Sequence, residues 1–189
     1  MARYIRSKTR IVRRLGALPS FTKKTSHKKQ SPGEHGTDIT RVTSSQYGIR
    51  LQEKQKIKFG YGVSAKQLLG YMFQAKRNVI STGYALLQIL EMRLDCILYT
   101  LECRSTIPAC RQLVNHGHVR VNGKIVNIPS YQCVKNDVIT IAPKFQVPLK
   151  STPYINVNGM GCEIIKKVNP YDVKSGLELR HIVEFYSRK

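Results

Sequence analysis

Tryptophan is absent from this chain of 189 residues, and carboxylates are scarce, with 11 Asp and Glu against 32 Lys and Arg. No run of ~18 apolar residues is present to span a bilayer. Met1 to Arg14 is charged throughout and lacks the apolar middle of a signal peptide. The five cysteines, Cys96, Cys103, Cys110, Cys133 and Cys162, form no C-x-x-C pair. Their odd number, without a secretion signal, points to reduced thiols in a reducing compartment. Cys96 and Cys110 sit among apolar neighbours and read as core. His116 and His118 lie near Cys110 and come nearest to a zinc set, yet no metal and no cofactor is expected. No P-loop, no G-x-G-x-x-G and no nucleophile–base pair at motif spacing is found. Asp95 and Asp137 stand isolated in sequence and read as capping or solvated residues.

What is present is positive charge on a chain able to fold. Apolar residues make up 41%, enough for a packed core, and the formal net charge is +21. Such an excess repels itself in a compact body unless a polyanion neutralises it. Nucleic acid fits that requirement better than a membrane surface. The charge is uneven: residues 1–82 hold 18 basic and 3 acidic side chains, residues 83–142 hold 6 and 4, and residues 143–189 hold 8 and 4.

The expected fold class is α+β. A helical N-terminal domain with an extended basic arm precedes a small helix–helix–hairpin module with mixed β strands. Residues 1–45, broken by Gly16, Pro19, Pro32, Gly33 and Gly36, read as an irregular arm that orders on a polyanion. Residues 46–82 complete the helical part. A first helix runs from Ser45 to Phe59. Gly60-Tyr61-Gly62 makes the turn, and Ser64 caps a second helix to about Arg77 with Leu68, Leu69, Met72 and Phe73 on its buried side. Residues 83–142 form the module. Leu86, Leu90, Leu94, Ile97 and Leu101 predict one helix over 83–102, with Glu91, Asp95 and Glu102 largely off its apolar face. Thr106, Pro108 and Gly117 punctuate a short helix. Asn122-Gly123 between Val119 and Val126 signals a hairpin, and a strand follows at Val138 to Ile141. Residues 143–189 read as a strand-rich tail, with strands at Tyr154 to Val157, Cys162 to Ile165 and His181 to Tyr186.

Projected at about 100° per residue, the short helix separates Arg111, Gln112, Asn115 and His116 from Ile107, Cys110, Leu113 and Val114. A guanidinium, two amides and an imidazole on one side suit phosphate oxygens, base edges and 2′-hydroxyls. Amphipathicity alone is what any packed surface helix shows; its place beside the basic segment favours RNA. On the hairpin, Arg120 and His118 share a face and Lys124 stands opposite Val121. In the N-terminal part, Arg3, Arg6, Arg10, Arg13, Arg14, Lys23, Lys24, Arg50, Lys54, Lys56 and Lys58 supply charge. Tyr4, Phe21 and Tyr47 supply rings for stacking.

The motifs Glu91-Met-Arg-Leu-Asp95, Arg111-Gln-Leu-Val-Asn-His116, Val121-Asn-Gly-Lys124 and Ile128-Pro-Ser-Tyr131 resemble the RNA-binding module of the small-subunit ribosomal protein four (S-four) family. Ile11-Val-Arg-Arg-Leu-Gly16, Ser45 to Lys56 and Val183-Glu-Phe-Tyr-Ser-Arg188 resemble its other signatures, so the match covers most of the chain in order. The resemblance adds Gln46, Arg93 and Asn122 to the rRNA-contacting set. It implies early, direct binding to the 5′ domain of small-subunit rRNA, nucleation of the subunit body and an influence on decoding accuracy. It also implies contacts with ribosomal protein S-five, other small-subunit proteins and mRNA where it enters the subunit, and none with membrane.

Two departures stand out. Some relatives carry a zinc-binding cysteine cluster in the first forty residues, whereas here no cysteine precedes Cys96. The segment after Ala142 is short and rich in proline. Met1-Ala-Arg-Tyr resembles the family's own beginning, so no transit peptide is expected. Gly16-Ala-Leu-Pro19 and the closing Glu-Phe-Tyr-Ser resemble plastid members, which points to a plastid ribosome, with the bacterial cytoplasm as the alternative.

Two rival classes remain. RNA-modifying enzymes borrow the same small module, but they need a catalytic domain, and the rest of this chain is an arm, a helical pair and a tail. A DNA-packaging protein shares the charge; competition between rRNA and duplex DNA separates it.

Overall fold

The computed structural model describes residues 4–28, 30–37, 45–78, 81–145, 150–158, 161–169 and 177–187. It contains α1 (Lys8–Leu15), α2 (Gln46–Gly60), α3 (Ala65–Lys76), α4 (Thr82–Glu91), α5 (Leu94–Thr100), α6 (Ile107–Asn115) and α7 (Leu179–Ser187). The strands are β1 (Val119–Val121), β2 (Lys124–Ile125), β3 (Val138–Ile141), β4 (Ile155–Asn158) and β5 (Gly161–Ile164). They form one antiparallel sheet in the order β2-β1-β3-β5-β4. The fold is α+β, as the sequence indicates. No helix among the described residues is long and apolar enough to cross a membrane.

Two apolar clusters organise the molecule. One joins Ile57, Leu68, Met72, Leu86, Leu90 and Ile182, from α2, α3, α4 and α7. The other packs Leu94, Leu98, Val114, Val119, Ile139, Cys162 and Ile164, from α5, α6 and the sheet. Strand alternation explains the second: Val119, Val121, Ile139 and Ile141 face inward, while Arg120 and Val138 face out. The hairpin keeps the expected register, Val121 opposite Lys124, with Asn122 and Gly123 at φ of 51° and 78°. Those left-handed values are why Asn-Gly suits this turn. Ser64 accepts from the Gln67 amide and Gln67 answers on Ser64, a complete capping box that fixes the start of α3.

Four expectations fail. First, the apolar period over 83–102 does not make one helix. Arg93 is extended at φ −76°, ψ 143°, and splits α4 from α5. The 129–133 segment takes the backbone: Leu94 N–H donates to the Tyr131 carbonyl at 2.9 Å and Cys133 N–H to that of Met92 at 2.9 Å. Second, His181 to Tyr186 is helical, within α7. Ile182, Phe185 and Tyr186 are buried at helical spacing, and Leu179 lies 3.1 Å from where a Cβ on Gly83 would stand. Docking overrides β-branched and aromatic propensity there. Third, residues 1–45 are not all irregular. Lys8–Leu15 is a helix, Leu15 and Phe21 are buried, and Ile107 N–H donates to the Ser20 carbonyl at 2.8 Å. Fourth, Leu69 and Phe73 are exposed, not buried; only Leu68, Met72 and Ala75 of α3 enter the core.

Candidate nucleic-acid interface

The polar side of α6 divides in two. Gln112, Asn115 and His116 are exposed, as their arc requires. Half-buried His118 follows, its ring 6.1 Å from that of His116 and 4.4 Å from that of Phe145. Ile125 of the hairpin reaches within 3.6 Å of where a Cβ on Gly117 would stand. The end of α6 and the hairpin, with exposed Arg120 and Lys124, therefore lie side by side.

Arg111 does not belong to that surface. Its side chain is 13% exposed and turns inward. Nη2 donates to Asp95 Oδ2 at 2.6 Å and Nη1 to the Gly62 carbonyl at 2.8 Å. Nε also reaches Asp95, and Nη2 the Tyr61 carbonyl. Arg93, 1% exposed, grips the same carboxylate through Nε at 3.1 Å and Nη2 at 2.9 Å, and Nη1 donates to the Tyr71 hydroxyl at 2.7 Å. Asp95 itself is fully buried, not solvated. Burial works to lower the Arg93 pKa, but the Asp95 charge outweighs it and holds the guanidinium above its ordinary value. The cluster ties α3, the 61–62 turn, α5 and α6 together. Arg93 and Arg111, expected to contact rRNA, are thus internal clamps, because a buried carboxylate needs its charge met.

Other side chains expected at the rRNA have partners within the protein. The Asn122 amide is engaged internally: Nδ2 donates to Asp137 Oδ1 at 2.8 Å and Oδ1 accepts from Val138 N–H at 2.9 Å. Asp137, 5% exposed, also accepts from Val134 N–H, so it braces the turn instead of facing water. Half-buried Tyr4 packs edge-on against Phe21 and Phe59 at 6.3 and 5.4 Å. Lys56 pairs with Glu53 at 2.6 Å and Arg50 with Glu184 at 2.8 Å. Lys54 sits 4.5 Å over the Phe185 ring and Lys58 5.3 Å over Phe59. Arg13 donates to the Gln30 carbonyl at 3.0 Å. Arg6, Arg10, Arg14, Lys23, Lys24, Gln46 and Tyr47 are exposed. Arg3 lies outside the described residues.

All five cysteines are buried free thiols. Burial pushes Cys110, Cys133 and Cys162 up to about 12, which suits core packing. Tyr61 donates its hydroxyl hydrogen to Glu91, and burial raises the pKa of both groups.

Residues 3–91 match the family described as Ribosomal protein S4/S9 N-terminal domain, and residues 92–139 match the S4 domain. The small ribosomal subunit protein uS4c of Prototheca wickerhamii is 43% identical over the whole of both chains. That of Guillardia theta is 46% identical, again end to end. The chain belongs to the ribosomal protein S4 family. The cyanobacterial small ribosomal subunit protein uS4 of Picosynechococcus is 54% identical over 141 residues, covering 75% of this chain and 69% of its own. The full-length likeness to uS4c proteins places the chain with the plastid-type members, as its own motifs indicate. The family is structural, and the chain is not an enzyme.

Proposed function

We propose that this chain is a structural constituent of the small ribosomal subunit of a plastid, binding rRNA of the 5′ domain directly and nucleating assembly of the subunit body. The carrying observation is the outward set of cations: Arg6, Arg10, Arg14, Lys23, Lys24, Arg120 and Lys124 are exposed, and none has a carboxylate partner among the described residues. Such cations meet phosphate, while Gln112, Asn115 and His116 offer groups for base edges and 2′-hydroxyls. Residues 1–82 carry Arg6, Arg10, Arg14, Lys23 and Lys24, and the module over 83–142 carries Arg120, Lys124, Gln112, Asn115 and His116. The same proposal includes contacts with ribosomal protein S-five and with mRNA, and an influence on decoding accuracy, on the strength of the motif resemblance.

Two measurements test this. The chain is expected to comigrate with small subunits on a sucrose gradient. Changing Arg6, Arg10, Arg14, Lys23 and Lys24 together to Gln should lower the log–log salt slope of rRNA binding by roughly 3–5 units if all five meet phosphate. Parallel slopes for the two proteins exclude the N-terminal cations from the interface.

A further inference from the structure

The exposed face of α3 carries an aromatic–basic stripe. Taking Phe73 as zero at about 100° per residue, Lys66, Leu69, Gly70, Lys76 and Arg77 all fall within about 60° of it. Leu68, Tyr71, Met72 and Ala75 occupy the opposite side, turned to the core or half-buried. Phe73 is 56% exposed and Leu69 37%. The Lys76 ammonium lies 5.9 Å over the Phe73 ring. A Cβ added at Gly70 would meet nothing within 4 Å, so the backbone beside the ring is open to close approach.

Charge identifies what covers this face. From residue 54 to residue 90 the chain has no Asp or Glu. Lys66, Lys76 and Arg77 have no carboxylate partner among the described residues. An apolar protein partner would leave three uncompensated cations at its rim, whereas a nucleic acid supplies both a phosphate for each cation and a planar base for the ring. Single exposed hydrophobes are ordinary on a surface; here ring, cations and absence of acid coincide on one helix face.

We infer that α3 forms a second RNA contact, separate from α6 and the hairpin, in which Phe73 stacks on an unpaired base while Lys66, Lys76 and Arg77 hold the flanking phosphates. It rests on the rRNA-binding reading above and adds a site to it. The ring supplies affinity that salt does not screen, and the cations supply the screened part.

The full chain, a 5′-domain rRNA transcript and binding isotherms at several salt concentrations test it. Phe73→Ala should weaken binding about five- to hundredfold with an unchanged salt slope. Phe73→Tyr should restore most of the affinity, because any aromatic face stacks. Lys66, Lys76 and Arg77 changed together to Gln should reduce the slope by roughly 2–3 units. The exposed ring leaves the melting temperature of Phe73→Ala near that of the parent. If the unsubstituted chain binds the transcript and Phe73→Ala binds within twofold of it, the α3 site is overturned while the parent reading stands. If Phe73→Ala binds RNA normally but fails to enter subunits, the face belongs to a protein neighbour and the inference is equally overturned. No binding by the unsubstituted chain removes both.

Discussion

Replacing Arg111 by Ala removes four hydrogen bonds at once, two to Asp95 and one each to the Gly62 and Tyr61 carbonyls. Deleting one partner of a buried ion pair commonly costs about 3–5 kcal/mol. Two features pull the value down. Arg93 still holds Asp95 through two bonds, and Arg111 is 13% exposed, so water reaches part of the gap. We therefore expect about 3 kcal/mol, or roughly 6–12 °C in melting temperature for a chain of this size. Leu113→Ala, at a position 5% exposed, should fall in the same range of about 2–5 kcal/mol. Asp95→Asn should be worse than Arg111→Ala, because two buried guanidiniums would then share one neutral amide. Urea unfolding followed by far-UV circular dichroism measures all three. The clamp is refuted if Arg111→Ala loses under ~0.5 kcal/mol, the range of an ordinary surface change. A drop in rRNA affinity alongside such a small loss would return Arg111 to the RNA-facing set.

Removing residues 2–45 takes Leu15 and Phe21 out of the core, so the truncated chain should melt well below the full one; Phe21→Ala alone should cost about 3 kcal/mol, and equal melting of truncated and full chains sinks this. Burial raises the Glu91 pKa and the Tyr61 hydrogen bond offsets it only in part, so the folded state holds its proton to higher pH than the unfolded one. Stability contributed by that group is then lost as pH climbs from the ordinary glutamate range through the raised value. Glu91→Gln should melt higher than the parent at pH 7.5 and no higher near pH ~4; a gain that persists in acid contradicts the argument.

Local signals reached far into this protein. The capping box at Ser64, the Asn122-Gly123 turn, the proline and glycine around α6 and the alternation over 138–141 each depend on a few adjacent residues. Short-range chemistry settles them. The +21 charge and the ordered motifs pointed in the same way to the ribosomal class. Helical projection also put Gln112, Asn115 and His116 outside, where they are.

Periodicity could not say what lies across a residue in space. Arg111 sits on the polar arc of α6, yet faces a carboxylate from α5 and carbonyls from the 61–62 turn. Nothing within α6 distinguishes that environment from water. The same blindness made one helix of α4 and α5, since the competitor for their backbone bonds comes from residues 129–133. It also put Phe73 in the core, because an apolar ring on an amphipathic helix reads as buried wherever no distant neighbour can be seen. Sequence determined the class of molecule, its polyanionic partner and the local elements. Only tertiary packing decided which cations clamp the protein and which stay exposed at its surface, because a cation's role is set by the nearest opposite charge.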